Sequence, residues 1–171
     1  VTRLALLTLQ KEEHEFSAGH FTIFSETERE DLHGHNYSVS VDLHVSLREN
    51  GLAFDYRLYK QKLTVLCKQL DRRFLLPAHS PYLRLEEMDD MWFAHFANER
   101  IPFLKRDVII LPICNVTIEE LSYWFLQQLI LDPTELNALG IQKIMVKVFN
   151  GPGQSGGACY DYFSDSCSIR K

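Results

Sequence analysis

The sequence predicts an α+β fold, an antiparallel four-stranded sheet with two amphipathic helices on one face. Three observations carry this. From Tyr37 to Leu47 the residues alternate without a break: Tyr37, Val39, Val41, Leu43, Val45 and Leu47 on one side, Ser38, Ser40, Asp42, His44 and Ser46 on the other. That is the pattern of a half-buried antiparallel strand. Two later stretches carry apolar residues at helical spacing, and the end of the chain alternates again.

In chain order, the first strand is Phe16-Ser17-Ala18-Gly19-His20, where Phe16, Ala18 and His20 share a face. The second is the alternating strand, preceded by Leu32-His33-Gly34-His35-Asn36. Asp55 can cap a helix running to about Leu70, with Tyr59, Leu63, Leu66 and Leu70 on one stripe and Cys67 packed within it. Residues 78–114 are too long for a plain connection and read as an inserted hairpin or lid, with strand-like runs such as Val108-Ile109-Ile110-Leu111. Thr117-Ile118-Glu119-Glu120 matches a capping box, opening a helix that turns Leu121, Trp124, Phe125 and Leu129 inward and stops at Asp132-Pro133. Ile144, Val146 and Val148 then alternate, Gly151-Pro152-Gly153 turns the chain, and Tyr160 and Tyr162 alternate again. With both helices on one face, the polar side of strand 36–47 is left for water or another subunit, and assembly through sheet edges follows naturally.

A chain of 171 residues, 46% hydrophobic and 24% charged, suits one domain with a substantial core. No run approaches the roughly 18 apolar residues of a membrane span, and no signal pattern opens the chain. The net charge of −5 argues against a nucleic-acid surface, while Arg72-Arg73 and Lys105-Arg106 can still make a local positive patch. Cys67, Cys114, Cys159 and Cys167 show no Cys-x-x-Cys spacing, so reduced thiols in a cytoplasmic protein are expected.

The chemistry concentrates in His20, His33 and His35. On an extended strand His33 and His35 point to the same face, in phase with the apolar side, and Gly34 between them lets another chain or a ligand come close. If the two strands are neighbours, His20 joins them. Three histidines without an obvious fourth ligand are the arrangement of a catalytic zinc with one position left for water or substrate. A His-x-His pair on its own is often just two ordinary surface or core histidines; the third histidine strengthens the metal reading.

Phe16-Ser17-Ala18-Gly19-His20, Leu32-His33-Gly34-His35-Asn36-Tyr37, Phe54-Asp55-Tyr56, Leu70-Asp71 with Phe74-Leu75, and Thr117-Ile118-Glu119, in that order, resemble the 6-pyruvoyltetrahydropterin and 6-carboxytetrahydropterin synthase family over nearly the whole chain. The resemblance implies a tunnelling fold, in which subunits join edge to edge into an antiparallel barrel, as a trimer, tetramer or hexamer, with the helices outside. It implies zinc on His20, His33 and His35, and 7,8-dihydroneopterin triphosphate as substrate.

Three positions depart from the family pattern. Its catalytic cysteine, four residues before the His-Gly-His pair, is Arg29 here, and Glu30 follows. This looks like the subgroup in which glutamate replaces the cysteine and 6-hydroxymethyl-dihydropterin is formed; a carboxylate beside a metal site suits a general base. Read without the family, Glu26, Glu28, Glu30 and Asp31 make a solvated acidic loop. The family's Asp-His pair is Asp71-Arg72, so Asp71 is kept while the relay histidine is replaced by an arginine suited to phosphate; His79 is the nearest substitute in sequence. The glutamate that grips the pterin aligns with Asn150, which offers one acceptor in place of two, with Gln154 or Glu119 able to compensate. Thr117 and Glu119 match positions beside the pterin and also serve as helix-start residues.

The resulting expectation is a zinc-dependent carbon–carbon lyase of the 6-carboxy-5,6,7,8-tetrahydropterin synthase type, on the route to queuosine. The alternatives are the 6-hydroxymethyl-dihydropterin-forming reaction of folate synthesis and a non-catalytic zinc or pterin-like ligand-binding protein. Glu30 and Asp71 are the candidate acid–base residues; Thr117, Glu119, Asn150 and Arg72 are the candidate substrate contacts.

Overall fold

A computed structural model describes residues 3–161; Tyr162 and Cys167 lie outside the described residues. The four strands expected from the alternation lie side by side in the order β10 (Ser155–Asp161), β9 (Ile141–Phe149), β3 (His33–Leu47), β2 (Glu15–His20), each pair antiparallel. The sheet extends further, to seven strands. β1 (Arg3–Leu9) pairs with the far half of β3, and β4 (Arg73–Pro77) and β8 (Val108–Leu111) continue it in parallel beyond β2. β1 escapes the alternation rule because apolar Leu4 and Leu6 stand on its exposed face, opposite the core residues Leu7 and Leu9.

Both expected helices form and share one core with the apolar face of β3. Helix α1 (Arg57–Leu70) buries Tyr59, Leu63, Cys67 and Leu70. Asp55 acts one residue before the cap position: its carboxylate accepts the Arg57 N–H. Helix α2 (Ile118–Leu129) buries Leu121, Trp124, Phe125 and Leu129, as its stripe requires. Its capping box is half made. Thr117 Oγ1 accepts the Glu120 N–H, but the Glu120 carboxylate accepts the Cys114 N–H instead of reaching back to Thr117. α2 ends at Leu129, before Asp132 and Pro133, which instead start a short further helix, α3 (Pro133–Ala138), capped by Asp132. No described helix is long and apolar enough to cross a membrane.

Within residues 78–114 the chain forms a separate antiparallel sheet of β5 (Leu83–Met88), β6 (Met91–Phe96) and β7 (Glu99–Leu104) before entering β8. Two tight turns connect its strands, with Asp89 at φ 50° and Ala97 at φ 48°, the left-handed values that two-residue hairpin loops demand. The sheet is fixed by a second hydrophobic cluster, in which Leu83, Ala94 and Phe96 meet Phe21, Ile23, Leu76 and Val108. Phe21 and Ile23 directly follow His20, so this cluster lies under the segment that leads away from the histidines.

Candidate metal centre

β2 and β3 are in register His20↔His33 and Ala18↔His35, which places all three histidines at one end of the sheet on its apolar face. The register depends on two glycines: Gly19 pairs with Gly34. A Cβ on Gly34 would lie 2.9 Å from the Ala18 carbonyl oxygen, and one on Gly19 would lie 2.5 Å from the Phe74 ring. The close approach that Gly34 allows is therefore that of β2 itself.

The ligand-type atoms of His20, His33 and His35 lie within 4.8 Å of one another, and His33 Nε2 is 3.1 Å from His35 Nε2. Two backbone carbonyls set the ring orientations. His20 Nδ1 lies 2.9 Å from the Val116 oxygen and His33 Nδ1 lies 2.8 Å from the Asp31 oxygen. Donation at Nδ1 leaves the Nε2 lone pairs free to face each other. His20 Nε2 is fully buried without a hydrogen-bond partner. A buried lone pair of this kind, beside two more imidazole nitrogens, fits a metal ion. Tetrahedral zinc at ordinary Zn–N lengths needs nitrogens about 3.3 Å apart, a spacing that the His33–His35 pair, at 3.1 Å, already approaches. Burial first, then the neighbouring His33 and His35, pushes His20 down to about 4, and burial with His33 lowers His35. His20 and His35 are accordingly neutral and able to act as ligands.

Glu30 stands beside this triad. Residues 22–30 fold back as a small hairpin: Glu30 N–H donates to Thr22 C=O at 2.8 Å, Ile23 bridges Arg29, and Phe24 N–H donates to Glu28 C=O. The Glu30 carboxylate accepts the Thr22 N–H at 2.9 Å and lies 3.8 Å from His33 Nε2. Burial opposes its ionisation, but the Thr22 hydrogen bonds and the adjacent His33 and His20 outweigh this and hold it below the usual carboxylate range. It is ionised at neutral pH.

A family model described as 6-pyruvoyl tetrahydropterin synthase matches residues 8–156. The chain belongs to this family. A Methanocaldococcus jannaschii protein provisionally named 6-carboxy-5,6,7,8-tetrahydropterin synthase is 30% identical over 147 residues, 85% of this chain and 88% of that protein. A Pyrococcus horikoshii protein with the same provisional name is 30% identical over 140 residues, 81% of each chain. The solved Plasmodium vivax 6-pyruvoyltetrahydropterin synthase matches with a TM-score of 0.87 at 32% identity, covering 93% of this chain and 99% of that one. A variant of it, in which alanine replaces a catalytic glutamate, matches equally well at 31% identity. The described α+β architecture is thus that of the pterin synthase family.

The remaining predicted residues are spread around the centre. Asp71, just after α1, accepts the Ser17 N–H at 2.9 Å and the Arg72 Nε–H at 3.2 Å. Ser17 lies three residues before His20, about 10 Å along an extended strand, so Asp71 anchors the opposite end of β2. Arg72 takes a left-handed φ of 58°. Together with Ser17, Asn36 and Arg73 it lines an open cleft of about 510 Å3 on the glycine side of β2 and β3. Thr117 and Glu119 open α2, directly after Val116, and Asn150 follows the end of β9, where Phe149 pairs with Ser38 of β3. His79 is exposed, its N–H bound to the Ile113 carbonyl.

Sequence reasoning missed Asn115. Its side chain accepts the Ile23 N–H at 3.1 Å and donates to the Ile23 C=O at 2.7 Å, tying the segment that orients His20 to the segment that follows it. An asparagine two residues before a helix cap carries no sequence signal for such a contact.

Proposed function

We propose that the protein is a zinc-dependent carbon–carbon lyase acting on 7,8-dihydroneopterin triphosphate, with Glu30 as its acid–base group and 6-hydroxymethyl-7,8-dihydropterin as product. The observation that carries the reading is the ionised Glu30 carboxylate, 3.8 Å from His33 Nε2 at the edge of the triad. Family membership supports the substrate class, and the Plasmodium vivax protein with its catalytic glutamate supports the role.

His20, His33 and His35 would hold the zinc, which supplies Lewis-acid polarisation of a side-chain hydroxyl or carbonyl oxygen. Glu30 accepts the proton of the second side-chain hydroxyl as the bond between the first and second side-chain carbons breaks. The carbon left on the pterin receives a proton back from Glu30, and the departing two-carbon aldehyde keeps the triphosphate ester. The Thr22 N–H holds the carboxylate in place through both transfers. Arg72 and Arg73 would pair with phosphate oxygens, with Asp71 fixing Arg72. Thr117, Glu119 and Asn150 would contact the pterin ring. Edge-to-edge assembly of subunits would complete the site, a reading consistent with the exposed Leu4 and Leu6 of β1.

A second reading, formation of 6-carboxy-5,6,7,8-tetrahydropterin, is favoured by the provisional names of the archaeal relatives. Zinc-loaded protein incubated with 7,8-dihydroneopterin triphosphate, with products identified by mass spectrometry, separates the two. A 6-hydroxymethyl product in the parent, lost in Glu30→Ala with zinc content unchanged, is the expected result. A 6-carboxy product moves the assignment to the second reading, and unchanged substrate at high protein concentration rejects both.

A further inference from the structure

We propose that Arg29, at the position where the family carries its catalytic cysteine, is a positioning residue that clamps Glu30 against the triad by joining it to the three-stranded sheet. This rests on Glu30 being the acid–base group as read above.

Arg29 extends away from the histidines. Its side chain is only 15% exposed, a low value for an arginine. The guanidinium carbon lies 5.3 Å from the Phe21 ring centre and 6.0 Å from that of Phe96. Two of its nitrogens, Nε and Nη2, each lie 2.7 Å from Glu99 Oε2 at the start of β7. The third, Nη1, donates to the Glu30 carbonyl at 2.6 Å. One planar fork thus spans the small sheet and the peptide of the residue beside the triad, which the single ammonium of a lysine cannot do.

The contact matters because of what it completes. The Glu30 N–H and carboxylate are both held by Thr22, and Arg29 fixes its remaining backbone group, the carbonyl. The next carbonyl, that of Asp31, orients His33. Freeing the Glu30 carbonyl therefore loosens the base and the peptide that aims His33 together. The family cysteine is replaced here by a residue that faces the other way and secures its neighbour.

The test compares Arg29→Gln, Arg29→Lys and Glu99→Gln in zinc-loaded protein. Glu99 is half exposed, so its variant keeps the question open should the arginine variants fold poorly. Arg29→Gln and Glu99→Gln are expected to lower kcat about tenfold to hundredfold with KM little changed, since a small misplacement of a reacting group costs that much. Arg29→Lys should fail to restore the rate. Thr22 amide exchange, which reports the Glu30 carboxylate without turnover, should quicken in both charge-neutralised variants. In a Glu30→Ala background, Arg29→Gln should cost much less than it does in the parent. Parent-like kcat and Thr22 protection in Arg29→Gln, or a full additional loss on top of Glu30→Ala, overturns the proposal. If Glu30→Ala turns over like the parent, the base assignment fails, and Thr22 exchange alone decides the clamp: faster exchange in Arg29→Gln upholds it and unchanged exchange overturns it.

Discussion

The two hydrophobic clusters differ in what they hold. The larger one joins the apolar face of β3 to both long helices, with Tyr37, Val41, Leu63, Leu121 and Phe125 essentially inaccessible. The smaller one joins the three-stranded sheet to Phe21 and Ile23, next to His20, and to the strands β4 and β8. Global stability resides in the first, where fully buried Leu and Phe side chains each contribute roughly 1.5–3 kcal/mol. The second holds the segment that carries Glu30. Stability and site geometry are thereby assigned to different packing units, a division seen in proteins whose local openings are unequal.

Emptying each cluster in turn separates the two roles. Phe125→Ala is expected to cost about 3–5 kcal/mol in urea denaturation and to speed amide exchange throughout. Phe96→Ala should speed exchange in β5–β7 and residues 21–30 while leaving α2 protected. Equal acceleration everywhere would show that the clusters are one cooperative unit.

A smaller effect is expected from Gly34→Ala. The added methyl meets a backbone oxygen, so β2 and β3 must part by a few tenths of an ångström with His33 and His35 on either side. Zinc affinity should fall about tenfold, the scale of indirect disturbance of a metal site, read by competition with a chelator. Undiminished affinity would mean the triad tolerates strand separation.

The smallest effect concerns His14, completely buried in the short helical turn that links β1 to β2 along the chain. Burial is the main influence and lowers its pKa; Glu13 and the Lys60 carbonyl pull the other way, and Lys60 and Lys11 add to the lowering. A depressed histidine means the folded state binds fewer protons than the unfolded state. Stability is therefore complete above the unfolded value near 6.5 and declines as pH falls through that value towards the folded one. His14→Leu should flatten part of the fall in urea midpoint between about pH 7.5 and 5. An identical slope in parent and variant would remove His14 as its source.

What the sequence disclosed follows the same division. Period-two and helical patterns identified β3, β9 and the buried stripes of both helices, because burying one face of a regular element constrains every second or every third-to-fourth residue. The histidines were visible for the same reason, being in phase with β3. The strands β1 and β4 were not, since each is short or carries apolar residues on both faces; β8 showed as a strand-like run, but its place in the main sheet did not. Around the site, the determinants that escaped are backbone carbonyls of Asp31 and Val116 and the amide of Asn115. Carbonyls are common to all residues, and only the fold selects which ones matter. Asp71 was legible as a retained residue, but its bond to the Ser17 N–H depends on how α1 returns to β2.

The hairpin of residues 22–30 constrains how this site can change over time. Neighbouring residues on an extended arm face opposite ways, and Arg29 and Glu30 do so, one towards Phe21 and Phe96, the other towards His33. A thiol installed at 29 would enter the apolar cluster; at 30 it would meet the histidines. A thiol at 29 would reach the histidines only after a one-residue shift in the pairing of the arm, whereas one at 30 needs no such shift.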